Sequence, residues 1–410
     1  MRLDLDTYRE IADSLVRNKS RSILTGFGIF WGLFMLLFLV GGSQGLKAML
    51  SKNFDGFATN ATIIWSQNTS LPYMGLPEGR YWSMQTNDIE RLKMMVPELD
   101  VVTPLIGNWG LTAEYDGRST NCNIKAVKAD YSKVEEPRIK YGRFINEVDV
   151  AQERKVCMIG ERIYNDLFPG GEDPCGAFLN IGGIYYQVVG LNVAEGNFNI
   201  NGPASETAII PFTVGQKVYS RGDSMDIICM TGKKGVTMSG LEKRIRQVMG
   251  RKHMFDPADE PAMSIINTEQ LFSMMDNLFK GVNMLFLLVG LGTLLAGSIG
   301  VSNIMMVTVR ERTVEIGIRR AIGATPREIL SQIMMESVAL TIAAGSAGIV
   351  FSVLVLNLVE TITKHQAAFQ VSFWTAVLAL ILLVILGVLA GLAPASRAMA
   401  IKPVDAMRDE

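Results

Sequence analysis

Four stretches of this chain contain no Asp, Glu, Lys or Arg: residues 22–46, 281–309, 337–359 and 365–396. Each is longer than the roughly 20 residues an α-helix needs to cross ~30 Å of hydrocarbon. Isolated buried core helices are seldom that long. The chain is 49% hydrophobic yet still 19% charged, so its apolar residues are concentrated rather than spread. The expected fold class is an α-helical membrane protein with four transmembrane helices, at 22–45, 281–309, 331–359 and 366–396. A large α+β extracytoplasmic domain, residues 46–280, is inserted between helices 1 and 2.

The first apolar stretch is too long for a signal-peptide core of about 7–15 residues, and no A-x-A-like site follows it closely. Leu3, Leu5, Tyr8, Ile11 and Leu15 precede it at amphipathic spacing. Residues 1–21 are therefore expected to lie along the membrane surface before a retained anchor. Short-loop Lys and Arg set the orientation. Residues 1–21 carry Arg2, Arg9, Arg17, Lys19 and Arg21, and the 310–330 connection carries Arg310, Arg312, Arg319, Arg320 and Arg327. The 397–410 tail carries Arg397, Lys402 and Arg408, whereas residues 360–365 hold only Lys364. Both termini and the 310–330 connection are thus expected on the cytoplasmic side. No basic domain is present, which argues against nucleic acid.

Leu46, Met49, Leu50, Phe54 and Phe57 recur at helical spacing after span one. Leu271, Met274, Met275, Leu278, Phe279 and Val282 do so before span two. Both spans should continue past the bilayer as a two-helix stalk, or as helices packed on the base of the inserted domain. Within that domain, 87–95, 161–167 and 239–249 read as helices. Segments 101–105, 111–115, 123–127, 155–159, 185–191, 207–211 and 225–230 read as strands. Residues 66–86 and 193–204 read as loops, and a subdomain boundary is expected near 130–145 or in a discontinuous form. Cys122, Cys157, Cys175 and Cys229 all fall here without a C-x-x-C. Disulfides and buried free thiols both remain open.

Gly41-Gly42-Ser43-Gln44-Gly45 matches G-x-S-x-G formally, but that motif needs a strand–turn–helix context and a histidine partner. It reads as a Gly-rich helix exit. No H-E-x-x-H or Cys/His cluster suggests a metal, and there is no G-x-x-x-x-G-K-[ST] to cradle ATP. No charge lies well inside a span, which argues against ion relays. Small residues recur at Gly28/Gly32, Gly292/Ala296/Gly300 and Gly345/Gly348. Such spacing lets helices approach closely, and Gly292, Ala296 and Gly300 are the expected helix or dimer seam.

The 308–331 connection reads TVRERTVEIGIRRAIGATPREILS. Its charges alternate on one face of 313–321, with Val314, Ile318 and Ala321 on the other. Gly323 sits where a helix end favours positive φ. Thr325-Pro326-Arg327-Glu328 is a capping box with Pro in the first helical position. One short helix should end there and a second begin, a construction suited to passing force into span three. Reversing its charges is expected to disturb a partner rather than a core.

Residues 300–306 (GVSNIMM) and 311–325 (ERTVEIGIRRAIGAT) resemble the FtsX-like permease domain of MacB-type ABC transporters. Pro394-Ala395-Ser396-Arg397 and 402–408 (KPVDAMR) resemble that family's ending. Tyr141-Gly142-Arg143-Phe144, 156–160, Leu167-Phe168, Asp173-Pro174-Cys175-Gly176 and Val188-Val189-Gly190 resemble its periplasmic core. The resemblance implies a dimer, homodimeric or with a closely related permease, in the bacterial inner membrane. It implies a coupling helix that contacts an ABC ATPase through Glu311, Arg312, Thr313, Glu315, Arg319, Arg320, Gly323, Ala324 and Thr325. It also implies a moving stalk that includes Leu46, Leu50, Leu271 and Leu278.

With 21 residues before span one, the ATPase is expected as a separate subunit in two copies, binding ATP and Mg, with no cofactor or catalytic residue in this chain. A periplasmic adaptor and an outer-membrane channel are compatible partners. The expected function is export of a substrate from the periplasm or outer leaflet, driven by that ATPase. The alternative is a mechanotransmitting scaffold that regulates a cell-wall hydrolase or sensor kinase. A membrane-anchored enzyme would require hydrolysis dependent on Ser43.

Overall fold

The computed structural model describes residues 19–400 except 53, 55, 194–199 and 364–368, with side chains from residue 26 onward. The expected surface segment before residue 19, most of the tail, Lys364 and His365 lie outside the described residues. The described residues form two compact units, one up to residue 49 and again from residue 277, the other residues 50–276.

In chain order, α1 is Lys19–Lys52. The second unit follows with β1 (Ala61–Ser66), β2 (Met84–Gln85), α2 (Thr86–Met95), β3 (Leu99–Tyr115), β4 (Arg118–Val127), β5 (Ile139–Gly142) and α3 (Glu147–Ala151). It continues with β6 (Val156–Gly160), α4 (Glu161–Leu167), β7 (Phe178–Ile181), β8 (Ile184–Asn192), β9 (Thr207–Pro211) and α5 (Phe212–Val218). Last come β10 (Ser224–Met225), β11 (Ile227–Gly232), α6 (Met238–His253) and β12 (Met263–Asn267). The remaining helices are α7 (Thr268–Glu311), α8 (Thr313–Ala321), α9 (Pro326–Ile362) and α10 (Phe373–Met399).

The second unit is organised by one mixed sheet in the order β12-β1-β11-β3-β4-β9-β6-β8-β5, with β7 bridging β3 and β8. The pairs β4–β9 and β6–β8 are parallel; the others are antiparallel. Strand side chains alternate between faces, so each strand feeds two cores. Ile64, Val102, Ile106, Cys157, Ile159, Ala208 and Ile210 enter one. Ile63, Val101, Leu105, Val156, Met158 and Ile209 enter the other. Helices α2, α4, α5 and α6 cover the first face through Ile89, Leu92, Ile163, Leu167, Phe212, Ile245 and Met249.

Of the two expected forms of subdomain boundary, the sheet runs across the one at 130–145 and leaves the discontinuous one open. Strands on both sides of that segment are joined through β4–β9 and β9–β6. Segments 101–105 and 111–115 are also one strand of 17 residues, irregular between Asn108 and Leu111. Strands β1, β5, β7 and β12 were not expected. Their sequences are short, and their burial depends on neighbours distant in sequence.

All four cysteines are free thiols, with Cys122, Cys157 and Cys229 buried. Burial pushes the Cys122 thiol up to about 12 and raises Cys157 and Cys229 as well. They act as small hydrophobes rather than nucleophiles.

Part of the 66–86 segment is pinned by one carboxylate. Buried Asp259 accepts from Ser70 N (2.7 Å), Ser70 Oγ (2.7 Å), Leu71 N (2.9 Å) and Ala262 N (3.3 Å). Burial pushes its carboxyl up, but these donors outweigh burial and hold it below the ordinary Asp range. A lowered folded pKa contributes stability above the unfolded value near about 4, lost as pH falls through the folded value. Asp259→Asn should therefore cost about 1–3 kcal/mol at neutral pH and flatten the acid limb of stability. Thermal unfolding of the permease from pH 7 to pH 3 checks this, and an unchanged limb would refute it.

Candidate coupling site

The first unit contains the helices of membrane-spanning length: α1, α7, α9 and α10 are long and apolar enough to cross a bilayer. They share a core of Ile29, Leu33, Leu37, Leu294, Val301, Ile333, Leu383 and Ala395. Close approach is set by glycine, on a different face from the expected one. A Cβ on Gly297 would lie 2.9 Å from the carbonyl of Gly28, and one on Gly32 would lie 3.2 Å from Thr293 and Leu294 backbone atoms. The α1–α7 seam thus runs through Gly28, Gly32 and Gly297. Gly292 and Ala296 are exposed and Gly300 is half-buried, and a Cβ on either glycine meets nothing within 4 Å. As a seam within one chain, that expectation is corrected. The physical reason is helical phase, since Gly297 lies about 100° from Ala296 around the axis. The face remains open for a second copy.

Helix α1 extends to Lys52 and α7 begins at Thr268, so Leu46, Leu50, Leu271 and Leu278 all lie on helices. Leu46, Leu50 and Leu278 are exposed. Ser43 is buried inside α1, which removes the strand–turn–helix geometry a nucleophile elbow requires.

At the end of α7 the chain bends at Arg312, and α8 begins. The α8 end is closed by bonds from Gly323 N to Arg320 O (3.3 Å) and Ala324 N to Arg319 O (3.0 Å). Gly323 has φ +113°, which a side chain would resist. Thr325 then caps α9, its amide donating to Glu328 Oε2 at 2.8 Å, with Pro326 in the first turn. The helix–turn–helix grammar expected from the sequence is present.

The disposition of side chains differs from expectation. Ile316 and Gly317 are buried, while Val314, Ile318 and Ile322 are exposed, Ile322 at 83%. Positions four apart align on one helix face, so these three form an outward apolar ridge that also takes in exposed Ala321. The arginines instead turn inward. Arg312 Nη1 donates to Glu336 Oε1 at 3.2 Å, and Arg319 Nη1 to Gln332 Oε1 at 3.0 Å. Arg319 Nη2 pairs with Glu315 at 2.8 Å, and Arg320 Nη1 donates to the Met399 carbonyl at 3.0 Å. Thr313 Oγ1 donates to the Arg310 carbonyl at 2.7 Å. The expectation that Arg319 and Arg320 address only water and a partner is corrected: they fasten α8 to α9 and α10, while Glu315 is exposed and pairs with Arg319 along α8. Arg310, Glu311, Arg327 and Glu328, which flank α8 along the chain, are exposed.

Glu336 stands immediately before the charge-free stretch 337–359, within the expected 331–359 helix. It lies ten residues beyond Pro326, is 6% exposed, and is tolerated there because Arg312 neutralises it. Glu336, Gln332, Ile322 and Met399 were missed by sequence reasoning. A signal for Glu336 existed, since Ile329, Ile333 and Glu336 share the i, i+4, i+7 spacing of a buried stripe.

Comparison with known proteins agrees with this architecture. The MacB-like periplasmic core domain matches residues 22–248, and the FtsX-like permease C-terminal domain matches residues 287–403. The macrolide export ATP-binding/permease protein MacB of Bdellovibrio bacteriovorus is 24% identical over 400 residues, covering 97% of this chain and 60% of that protein. The pyoverdine export ATP-binding/permease protein PvdT of Pseudomonas putida is 27% identical over 400 residues, covering 96% and 58%. The periplasmic region of MacB from Actinobacillus actinomycetemcomitans is 20% identical with a TM-score of 0.43, covering 55% of this chain and 96% of that one. The chain therefore spans 60% and 58% of the length of these two curated relatives. On its matched domains, with four helices of membrane-spanning length among the described residues and an α/β unit between the first and second, the chain belongs to the MacB-like, FtsX-like family of ABC-transporter permeases.

Proposed function

We propose that this permease works as the membrane subunit of an ATP-driven exporter whose nucleotide-binding subunits bind ATP and Mg and dock on α8. The observation that carries this reading is the outward ridge of Val314, Ile318 and Ile322, with exposed Arg310, Glu311, Arg327 and Glu328 flanking it along the chain. An apolar centre with a polar rim is the usual anatomy of a protein interface. The Lys/Arg-rich 310–330 connection supports a cytoplasmic position for α8. The α/β unit is then extracytoplasmic.

Two copies of the permease, or this chain with a close relative, pair with two ATPase subunits. Closure of the ATPase dimer displaces α8, and the exposed apolar faces at Leu46, Leu50 and Leu278 come together between copies. The extracytoplasmic domains then move a substrate already outside the bilayer. An adaptor and an outer-membrane channel would carry it onward. Macrolide and pyoverdine export, named for the relatives, set the class of cargo to test first.

Cysteines at Leu50 and Leu278 should crosslink between copies more readily with the ATPase and a non-hydrolysable ATP analogue than with either alone. Equal crosslinking in all conditions would reduce these helices to a static support and remove this mechanism.

A further inference from the structure

The ridge explains how α8 receives force, but not why the force should enter the membrane through a particular helix. Two inward bonds answer this. Arg312 and Arg319 lie seven residues apart, on one face of the α8 segment. Their acceptors, Glu336 and Gln332, lie four apart on one face of α9. The pairing runs in opposite directions: the earlier arginine reaches the later acceptor. One contact would leave α8 free to pivot. Two contacts fix its angle as well as its position.

The sites differ in burial. Glu336 is buried and its charge is met by Arg312, whereas Arg319 is shared between Gln332 and the exposed Glu315. A small cavity of about 30 Å³ lies beside them, lined by Met305, Thr308, Ile316, Ile329 and Ile333 as well as the polar groups. The inner end of this stretch of α9 is held in turn, because Ser337 Oγ donates to the Gly387 carbonyl of α10 at 3.1 Å.

We infer that Arg312–Glu336 and Arg319–Gln332 form a two-point clamp that makes α8 and the first turns of α9 a single lever, directing the coupling stroke into α9. These are positioning residues, since they touch neither nucleotide nor cargo. The inference deepens the coupling function proposed above and rests on it for its consequence in transport. The rigidity of the lever is a property of the permease alone.

The experiment therefore has two arms. In the purified permease, spin labels at exposed Ile318 and Ile342 report the α8–α9 distance. A Cys175→Ser background suffices, because the other three thiols are buried. The wild-type distribution should be narrow. Glu336→Gln combined with Gln332→Ala should broaden it, and the exchange Arg312→Glu with Glu336→Arg should narrow it relative to either single change. An unchanged width, or an exchange no better than the single changes, would overturn the clamp.

In the assembled complex, Glu336→Gln should leave co-purification of the ATPase intact. Nucleotide-dependent crosslinking at Leu50 and Leu278 should nevertheless fall by roughly tenfold, equivalent to about 1.4 kcal/mol, near the low end for a hydrogen bond to a charged group. Wild-type crosslinking in that variant would overturn the role in transmission. Failure of the wild-type permease to bind any ATPase would instead overturn the coupling function, while the distance measurement still decides the clamp.

Discussion

Placing aspartate at both Ile318 and Ile322 should release the ATPase from an otherwise folded permease. These side chains are 46% and 83% exposed, so the free permease does not need them for its core. Burying two such side chains in an interface contributes about 1.5–3 kcal/mol each. Two carboxylates in a desolvated contact oppose association further. Affinity should fall by roughly 100-fold or more, equivalent to about 2.7 kcal/mol. Titration of purified ATPase onto immobilised permease measures it. If the double variant binds normally, the ridge faces the membrane surface, and docking must use other groups. Charge reversal at Arg319 or Arg320 is a poorer test than it looked from the sequence. Those side chains hold α8 to its neighbours, so their loss mixes docking with distortion.

Gly297→Leu should destabilise the helical unit strongly, whereas Gly292→Leu and Gly300→Leu should leave it intact. At Gly297 the first added carbon already lies 2.9 Å from the Gly28 backbone, which cannot rotate out of the way. Overpacking of this kind costs about 1–3 kcal/mol or more. At Gly292 and Gly300 the added carbon meets nothing within 4 Å. Thermal denaturation of the detergent-solubilised permease separates the cases, and equal stability of all three variants would refute the α1–α7 seam. If Gly292→Leu or Gly300→Leu weakens crosslinking between copies without lowering that stability, the open face is the dimer contact. If neither does, it faces lipid.

Much of the coupling site was legible because its signals are local. A capping box involves residues three apart, and a positive φ at Gly323 concerns one residue. Both are decided by backbone chemistry that the sequence displays directly. The seven expected strand segments likewise carry β-branched runs whose alternation needs no knowledge of the partner strand. The short strands β1, β5, β7 and β12 carry weaker signals. Strand β1, for instance, pairs with β11 and β12, which lie more than 150 residues away.

Facing was the harder question. Val314 and Ile318 were legible as one apolar stripe of an amphipathic helix, but a stripe does not say whether it points inward or outward. The bundle places Ile316 and Gly317 against its own helices, and so turns the stripe out. The same rotation brings Arg312 within reach of Glu336 and Arg319 within reach of Gln332.

The sequence alone determined the four long apolar helices, the large insertion after the first, and the capped turn between α8 and α9. Composition and short-range backbone preferences are enough to specify these. Only the tertiary structure decided which glycines let α1 and α7 touch, which side chains of α8 a partner can reach, and where a buried glutamate finds its counter-charge. Each of those depends on the rotation of one helix against another. That rotation is set by the sum of many small packing contacts, and no local pattern records it.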